Sequence, residues 1–487
     1  MIPLSTLPPE RDGLTELLAA AQSGDTVLVP EGLYKGDFTV PEGVTMQASP
    51  GARVAIDIDD YLVCTNATVR DVEIFSSETD RTIIQQGIVA NNRASLTGCT
   101  IHDLRTSGIS WFGSGAGELV DNLIYNNGYL SDVGSGHGHC IYTHNYGGGA
   151  RLIANNVLLP GYGSYGLHGY SGGGNPIRDY TVRDNVQVRK PVIMGGARVM
   201  NLLYEDNFQW RDACYIGRYS ASNNDCVVRN NQYAGGAFLD ITDFETVVEE
   251  GNTTPTETTV IVTPCTRTTL RLAHVTVFNP QRANTVEVDL STLALAHGDY
   301  LLRSATNIQE WQRFTYDGSA VAVNLLPTRW TVAKPVGAED ALYPYDTRIS
   351  VFLLEPYSAS PNGGSDMAKG DLSERPVASV ETGIEGYRAL LVTTVIEGGG
   401  SLSPTLTFGQ NADVDTTAEA LGGDVDCSEV LVQAAGANAG TVLVGDTDGQ
   451  YFELAAGESL SLPVANVNLV QVKGSAVNQV VNWIARG

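Results

Sequence analysis

Six short segments constrain this chain more than anything else in it: VDNLIY, ANNVLL, RDNVQV, EDNFQW, RNNQYA and EEGNTT, with asparagines Asn122, Asn156, Asn185, Asn207, Asn231 and Asn252. Each has apolar residues, then Asn or Asp-Asn, then further residues suited to a strand, and successive asparagines are 21 to 34 residues apart. Two earlier segments, LTGCTI at Cys99 and VRDVEI at Asp71, continue the spacing without asparagine. Short strands at this period suit a parallel β-helix, in which each coil supplies two or three strands. A single coil cannot bury its inner face, so coils must stack. Asparagine tolerates left-handed backbone angles, and its amide can bond the same amide one coil away. A column of stacked asparagines at one turn is therefore expected.

Composition agrees with an all-β reading. Glycine is abundant (53 of 487 residues) and charged residues make up only 17%, which favours many short strands and turns. The net charge of −26 repels phosphate backbones and argues against nucleic acid as a partner. The seven cysteines are widely spaced and include no CxxC, which predicts reduced, mostly buried thiols. The N-terminal stretch has no basic segment followed by an apolar run, so no signal peptide is expected. No apolar stretch approaches the length of a membrane span, so no membrane partner is expected either.

The opening GLTELLAAAQSGDTVLVPEGLYKGDFTVPEGVTMQASPGARVAI resembles the N-terminal cap and first coils of right-handed parallel β-helix proteins of the pectate-lyase-like superfamily. The resemblance runs over about residues 12–252. It implies a short amphipathic helix, about Leu14 to Gln22, closing the end of the β-helix. It says little about chemistry, since that superfamily holds lyases, hydrolases, epimerases and plain binding proteins.

Beyond NTTPTETT the repeat stops. Residues up to about Pro356 alternate with period two, and turn residues recur about every ten positions, which predicts an antiparallel β-sandwich. A Ser-, Gly- and Pro-rich stretch, 357–376, is expected to be a linker. The acidic remainder ends in TVLVGDTDGQYFELAAGESLSLPVANVNLVQVKGSAVNQVVNWIARG, which resembles the small C-terminal β-modules of bacteriophage virion proteins such as tail spikes and capsid decorations. The expected organisation is a β-helix over 1–252, a sandwich over 253–356, a linker over 357–376 and a virion-type β-module over 377–487. The resemblance implies a virion protein assembled in the host cytoplasm, joined to other virion proteins through the last module, and commonly a homotrimer.

Chemistry concentrates in GSGHGHCIYTHNYGGG, residues 134–149, with His137, His139 and His144. Aligning HCIYTHNYGGGARLIANNV with YGLHGYSGGGNPIRDYTVRDNV as neighbouring coils matches Ile141 to Leu167, Tyr142 to His168 and His144 to Tyr170. If Ile141 and Leu167 point inward, then Tyr142, His144, His168 and Tyr170 form an outward patch, with coils about 4.8 Å apart. His137 and His139 would lie just before it.

Three uses compete with a plain polar coating of the surface. An H-x-H pair can share a metal ion, with Asp132 the nearest further ligand; a divalent cation such as calcium is the one cofactor considered, and no metal ligands are assigned. In a lyase, His139, His144 or His168 would take a proton, Tyr142 or Tyr170 would return one, and Arg178 or Arg151 would stabilise the intermediate. A glycosidase needs two carboxylates, and Asp212, Asp225, Asp240 and Asp243 show no certain pairing. The third use is glycan binding without turnover: Tyr165, Trp210 and Tyr215 would stack on sugars, while Asp132, Asp212, Arg178 and Arg218 would meet polar groups. GDTDGQ at 445–450 looks like a calcium loop but fits a plain hairpin turn better. The reading is a virion surface protein presenting a β-helix to a polysaccharide or cell-surface glycan, with a polysaccharide lyase or glycoside hydrolase as the alternative.

Overall fold

The computed structural model describes residues 7–130, 136–171, 175–220, 222–357, 406–423, 425–427, 429–435, 438–446, 449–457, 459–462 and 464–486. The expected linker falls almost wholly outside them. The chain forms two compact units, Met1–Leu390 and Leu391–Gly487.

The first unit opens with a parallel β-helix. Sheet I starts at Thr26–Val29, sheet II at Gly32–Lys35 and sheet III at Phe38–Val40, and every later coil adds to the same sheets in the same direction. Among the described residues they reach ten, nine and nine strands. Leu14–Ala20 forms the expected helix, and Leu14 and Leu18 bury their side chains in the core of the first coils. The axial core is a column of Val, Ile, Leu and Met from stacked coils, including Val69, Leu96, Leu119 and Ile153.

The asparagine column is complete from Asn122 to Asn252. Oδ1 of Asn156 accepts both the backbone N–H and the Nδ2–H of Asn122, at 3.1 and 2.9 Å. The same pair of bonds joins Asn156 to Asn185, Asn185 to Asn207, Asn207 to Asn231 and Asn231 to Asn252. Each Nδ2 from Asn122 to Asn231 also donates to a strand carbonyl, such as Leu119 O from Asn156. One refinement concerns the backbone: the residue with left-handed angles is the one before the ladder asparagine. Asp121, Asn155, Asp184, Asp206, Asn230 and Gly251 take φ between 50° and 65°. The Asp-Asn signature thus divides two tasks, a left-handed turn residue that pays little strain and an amide rung directly after it.

Sheet II is covered on both faces. Its strands Thr100–His102, Leu123–Tyr125, Val186–Val188 and Phe208–Trp210 are buried almost throughout. The cover is a five-stranded antiparallel sheet in the order Thr259–Pro264, Ala273–Phe278, Ile349–Pro356, Gly298–Ser304, Trp311–Tyr316. Phe278, Ile349, Val351 and Leu353 pack on Leu123, Val157, Val186 and Trp210. The opposite face, with Val275, Val277, Leu302 and Phe352, packs under the ribbon Thr285–Val288/Val321–Asn324 and Trp330. Sheet III keeps one face open: Ile141–Thr143 and Leu167–Tyr170 alternate between buried and half-exposed.

A buried ionic cluster pins this cover. His102 lies between the rings of Phe75 and Tyr125, at 5.4 and 4.8 Å. Its Nδ1 meets Asp103 at 2.8 Å and its Nε2 meets Glu73 at 3.2 Å. Asp103 bonds Arg81 at 2.5 Å and accepts the Val336 N–H, while Arg81 donates to Val336 O. Burial alone would push the imidazole down, but the bonds to Asp103 and Glu73 outweigh it and raise His102 to about 9.

The second unit is a sandwich of two four-stranded antiparallel sheets around Val430, Val432, Val444, Val472, Val481 and Trp483. Val442–Asp446 and Gly449–Leu454 form a hairpin, as the GDTDGQ segment suggests. Among the described residues, which include all seven cysteines, none forms a disulfide. No helix among the described residues is long and apolar enough to cross a membrane.

Two outcomes are expected. Asn156→Ala leaves the buried Asn122 N–H without its acceptor and removes one bond from each neighbouring amide, which should destabilise the first unit by about 2–4 kcal/mol; an unchanged urea midpoint would refute the ladder's importance. His102, raised in the folded state, contributes stability that is full below the unfolded value of about 6.5 and lost as pH rises through about 9. The melting-temperature difference between wild type and His102→Gln should therefore shrink from pH 6 to pH 10.

Candidate functional site

The open face of sheet III carries the patch. Strand register pairs Ile141 with Leu167 and Tyr142 with His168, as the coil alignment requires. Ile141 and Leu167 are buried in the axial core, so Tyr142, His168 and Tyr170 project outward.

His168 is the centre. Tyr165 stacks on it at 4.7 Å with rings 1° from parallel, Tyr170 at 4.9 Å and 11°, and Tyr142 at 4.8 Å and 27°. His139 approaches to 4.2 Å between ring centres. His144 continues the patch through Phe112, at 4.6 Å, and its ring lies 6.0 Å from Tyr146. The coil before contributes Phe112 edge-on to Tyr142. Gly196 borders the cluster: it has φ 74°, and a Cβ there would strike the Tyr170 ring at 2.2 Å.

Aromatic packing removes water from the imidazoles. Burial, with a small contribution from neighbouring His139, pushes His168 down to about 3. Burial likewise lowers His139 to about 4, and its Nδ1 accepts the Tyr165 N–H at 3.2 Å. That bond assigns the His139 proton to Nε2. Burial and then Arg151 lower His144. Nδ1 of His144 and of His168 is buried without a hydrogen-bond partner among the described residues. The hydroxyls of Tyr142 and Tyr165 shift upward through burial. At neutral pH the patch is an uncharged set of ring faces, hydroxyls and imidazole nitrogens.

The other expected site residues divide. Tyr215 stands two coils beyond His168 in the same register column, separated by Ile193, and Arg218 lies over its ring at 3.9 Å. Asp212 is exposed at the turn before that strand and lines a cleft with Arg189, Lys190 and Arg211. Arg178 belongs to sheet I, where Asp179 holds its Nε at 3.2 Å, so it is not part of the patch. Trp210 needs correction: it is 1% exposed, on sheet II, packed on Phe278 at 5.6 Å, and cannot meet a sugar. The antiparallel sheet covers the face of sheet II on which it stands. Arg151 points into the β-helix, over Trp111 at 4.1 Å, and donates to the carbonyls of Trp111, Phe112 and His144. It braces the turn beneath the patch. Asp132 lies outside the described residues.

Asp225 is on sheet I and Asp240 on sheet III, so the two face different sides. Among the described residues, no three His, Cys, Asp or Glu side chains gather as a metal site. Sequence reasoning missed the Glu73–His102–Asp103–Arg81 cluster and, apart from Asp212, the cationic cleft. The cluster has no recurrent spacing. The cleft's Arg-Lys at 189–190 and Arg-Asp at 211–212 were visible, but their alignment required the register.

No protein-family model matches the sequence, and no curated protein matches it. Solved structures of low identity are similar, among them these. One is a PL6 alginate lyase in complex with a trisaccharide: 13% identity, TM-score 0.22, covering 48% of this chain and 59% of that one, less than two thirds of the lyase. The Dettilon tailspike protein (gp208) shows 10% identity and TM-score 0.24, covering 67% and 87%. ORF18 of Geobacillus virus E2 shows 10% identity and TM-score 0.23, covering 63% and 69%.

A direct check is available by histidine nitrogen NMR. His139 and His168 should remain neutral from pH 8 down to pH 5. Their depressed folded values make stability fall as pH drops below the unfolded value of about 6.5 toward 4 and 3. Ordinary titration near 6.5 would show the rings to be solvated and the packing wrong.

Proposed function

We propose that the open face of sheet III binds a host-surface or environmental glycan on a virion surface protein, with residues 377–487 joining it to the particle. One observation carries the glycan reading: His168 ringed by Tyr142, Tyr165 and Tyr170 at 4.7 to 4.9 Å, on a face that no other element covers among the described residues of the first unit. Ring faces meet pyranose C–H faces, and the hydroxyls and imidazole nitrogens at their edges can bond sugar hydroxyls.

Binding fits this geometry better than turnover. A proton-abstracting base works best near the ambient pH, and His139 and His168 are held far below it. Arg151 and Arg178 are engaged elsewhere, so neither arginine expected to stabilise an enolate-like intermediate serves the patch. The virion assignment is supported by the resemblance of the last 60 residues to virion β-modules and by the two-sheet sandwich they help build. Homotrimeric assembly belongs to the same proposal and would appear as a threefold mass in sedimentation.

An oligosaccharide panel tests the glycan reading. Tyr142→Ala, Tyr165→Ala and His168→Ala should each weaken binding by roughly 5- to 30-fold, about 1–2 kcal/mol per lost ring contact. Binding that survives all three substitutions would place the site elsewhere. Release of unsaturated uronates by wild type, abolished in His168→Ala, would replace binding with lyase chemistry.

A further inference from the structure

Next to the patch, at the turn leading from sheet II into sheet III, lies an open cleft of ≈ 420 Å³ lined by Pro160, Tyr162, Arg189, Lys190, Arg211, Asp212 and Tyr343, among others. Three cations share it in a chain of net charge −26. Asp346 bonds Arg189 at 2.9 Å and stands 3.7 Å from Arg211, but it also serves Arg348 at 2.8 Å. Among the described residues, Lys190 makes no ion pair or hydrogen bond. Asp212 also lines the cleft and its charge reaches Lys190. Two carboxylates, Asp212 and Asp346, thus face four cations, Arg189, Lys190, Arg211 and Arg348, so positive charge in the cleft is incompletely neutralised.

The backbone makes the arrangement more pointed. Register aligns His102 with Tyr125 and, past the intervening Val157–Leu158 strand, Val188 with Trp210 and Ala234 at the ends of sheet II strands. The residue after each takes left-handed angles: Asp103 (φ 59°), Asn126 (56°), Arg189 (55°), Arg211 (61°) and Gly235 (65°). Asp, Asn and Gly accept that conformation readily, whereas arginine does so under strain. Two strained arginines therefore stand one coil apart, and both line the cleft. Burial and then the Arg211 charge push Arg189 down, and burial pushes Lys190 down. A bound anion would relieve this crowding. Gly166, between Tyr165 and His168, donates its N–H at 3.0 Å to the carbonyl of Pro191, the residue after Lys190, so the cleft adjoins the patch.

We propose that Arg189, Lys190 and Arg211 form an anion-binding subsite that receives the carboxylate or sulfate of an acidic glycan seated on the Tyr142–Tyr165–His168–Tyr170 surface. This rests on the glycan reading and deepens it by naming the ligand's charge. Arginine and lysine suit such groups, with arginine able to bond them through two parallel N–H donors.

The experiment measures binding of three probes to the full chain: oligogalacturonate, its fully methyl-esterified form, and a sulfated galactan oligomer. Lys190→Met and the double variant Arg189→Asn/Arg211→Asn are compared with wild type. Asparagine tolerates the left-handed turn, so the double variant should keep or raise its melting temperature. Lys190→Met carries the test alone if the double variant does not fold.

Wild type is expected to bind at least one acidic probe tenfold or more tighter than the ester, with affinity falling as salt rises. Both variants should erase that advantage. The response to galacturonate against that to the sulfated oligomer tells which acid the subsite receives. Ester binding equal to acid binding, or variants that keep the acid preference, would overturn the subsite and leave the glycan surface standing. Failure of every probe and of a neutral glycan panel would remove the glycan reading, and the subsite with it.

Discussion

Coil stacking through buried amides is the interaction on which everything else depends. A parallel β-helix has no local contact strong enough to fix one coil on the next, because each coil meets its neighbours only along strand edges and the axial core. The Asn122–Asn252 column adds three hydrogen bonds to most rungs in an environment without competing water. An amide left unpaired there would be expensive, so the column disfavours slips in coil register as well as stabilising the native one. Tyr142, His168 and Tyr215 stand in one column because of that register.

The three sheets then acquire different roles. Sheet II presents apolar residues outward as well as inward and is sealed by the antiparallel sheet, with the His102 cluster as an ionic pin at Val336. Sheet III alternates and leaves its outer residues available. A sealed side can anchor rigid turns, and the turns between sealed and open sides carry Arg189, Lys190 and Arg211. The rigid scaffold thus holds aromatic faces and cations at adjoining positions without any moving part. Such preorganisation lowers the entropy lost when a long, flexible saccharide is ordered.

Neutral aromatic surface and cationic cleft also complement each other electrostatically. At −26 the chain repels acidic polymers at long range, an effect screened beyond about 8 Å at physiological salt. The proposed anion subsite would then select where an acidic chain lands. Depressed His139 and His168 keep the two imidazoles uncharged at neutral and mildly acidic pH.

Much of this was readable from the residue order. The Asp-Asn repeat determined the coil period, the ladder and, through the Ile141–Leu167 alignment, the pairing of Tyr142 with His168, because these are periodic features and a β-helix converts period into proximity. The capping helix and the period-two alternation beyond residue 256 were likewise local signals. Trp210, Arg151 and the Glu73–His102–Asp103–Arg81 cluster were decided by tertiary structure alone. Whether an outward side chain meets solvent depends on which sheet a distant segment covers, and whether an arginine turns inward depends on carbonyls left open by a neighbouring coil. Neither leaves a periodic trace in the sequence, so the chain's order fixed which residues became neighbours, and only packing fixed which of them stayed exposed to meet a ligand.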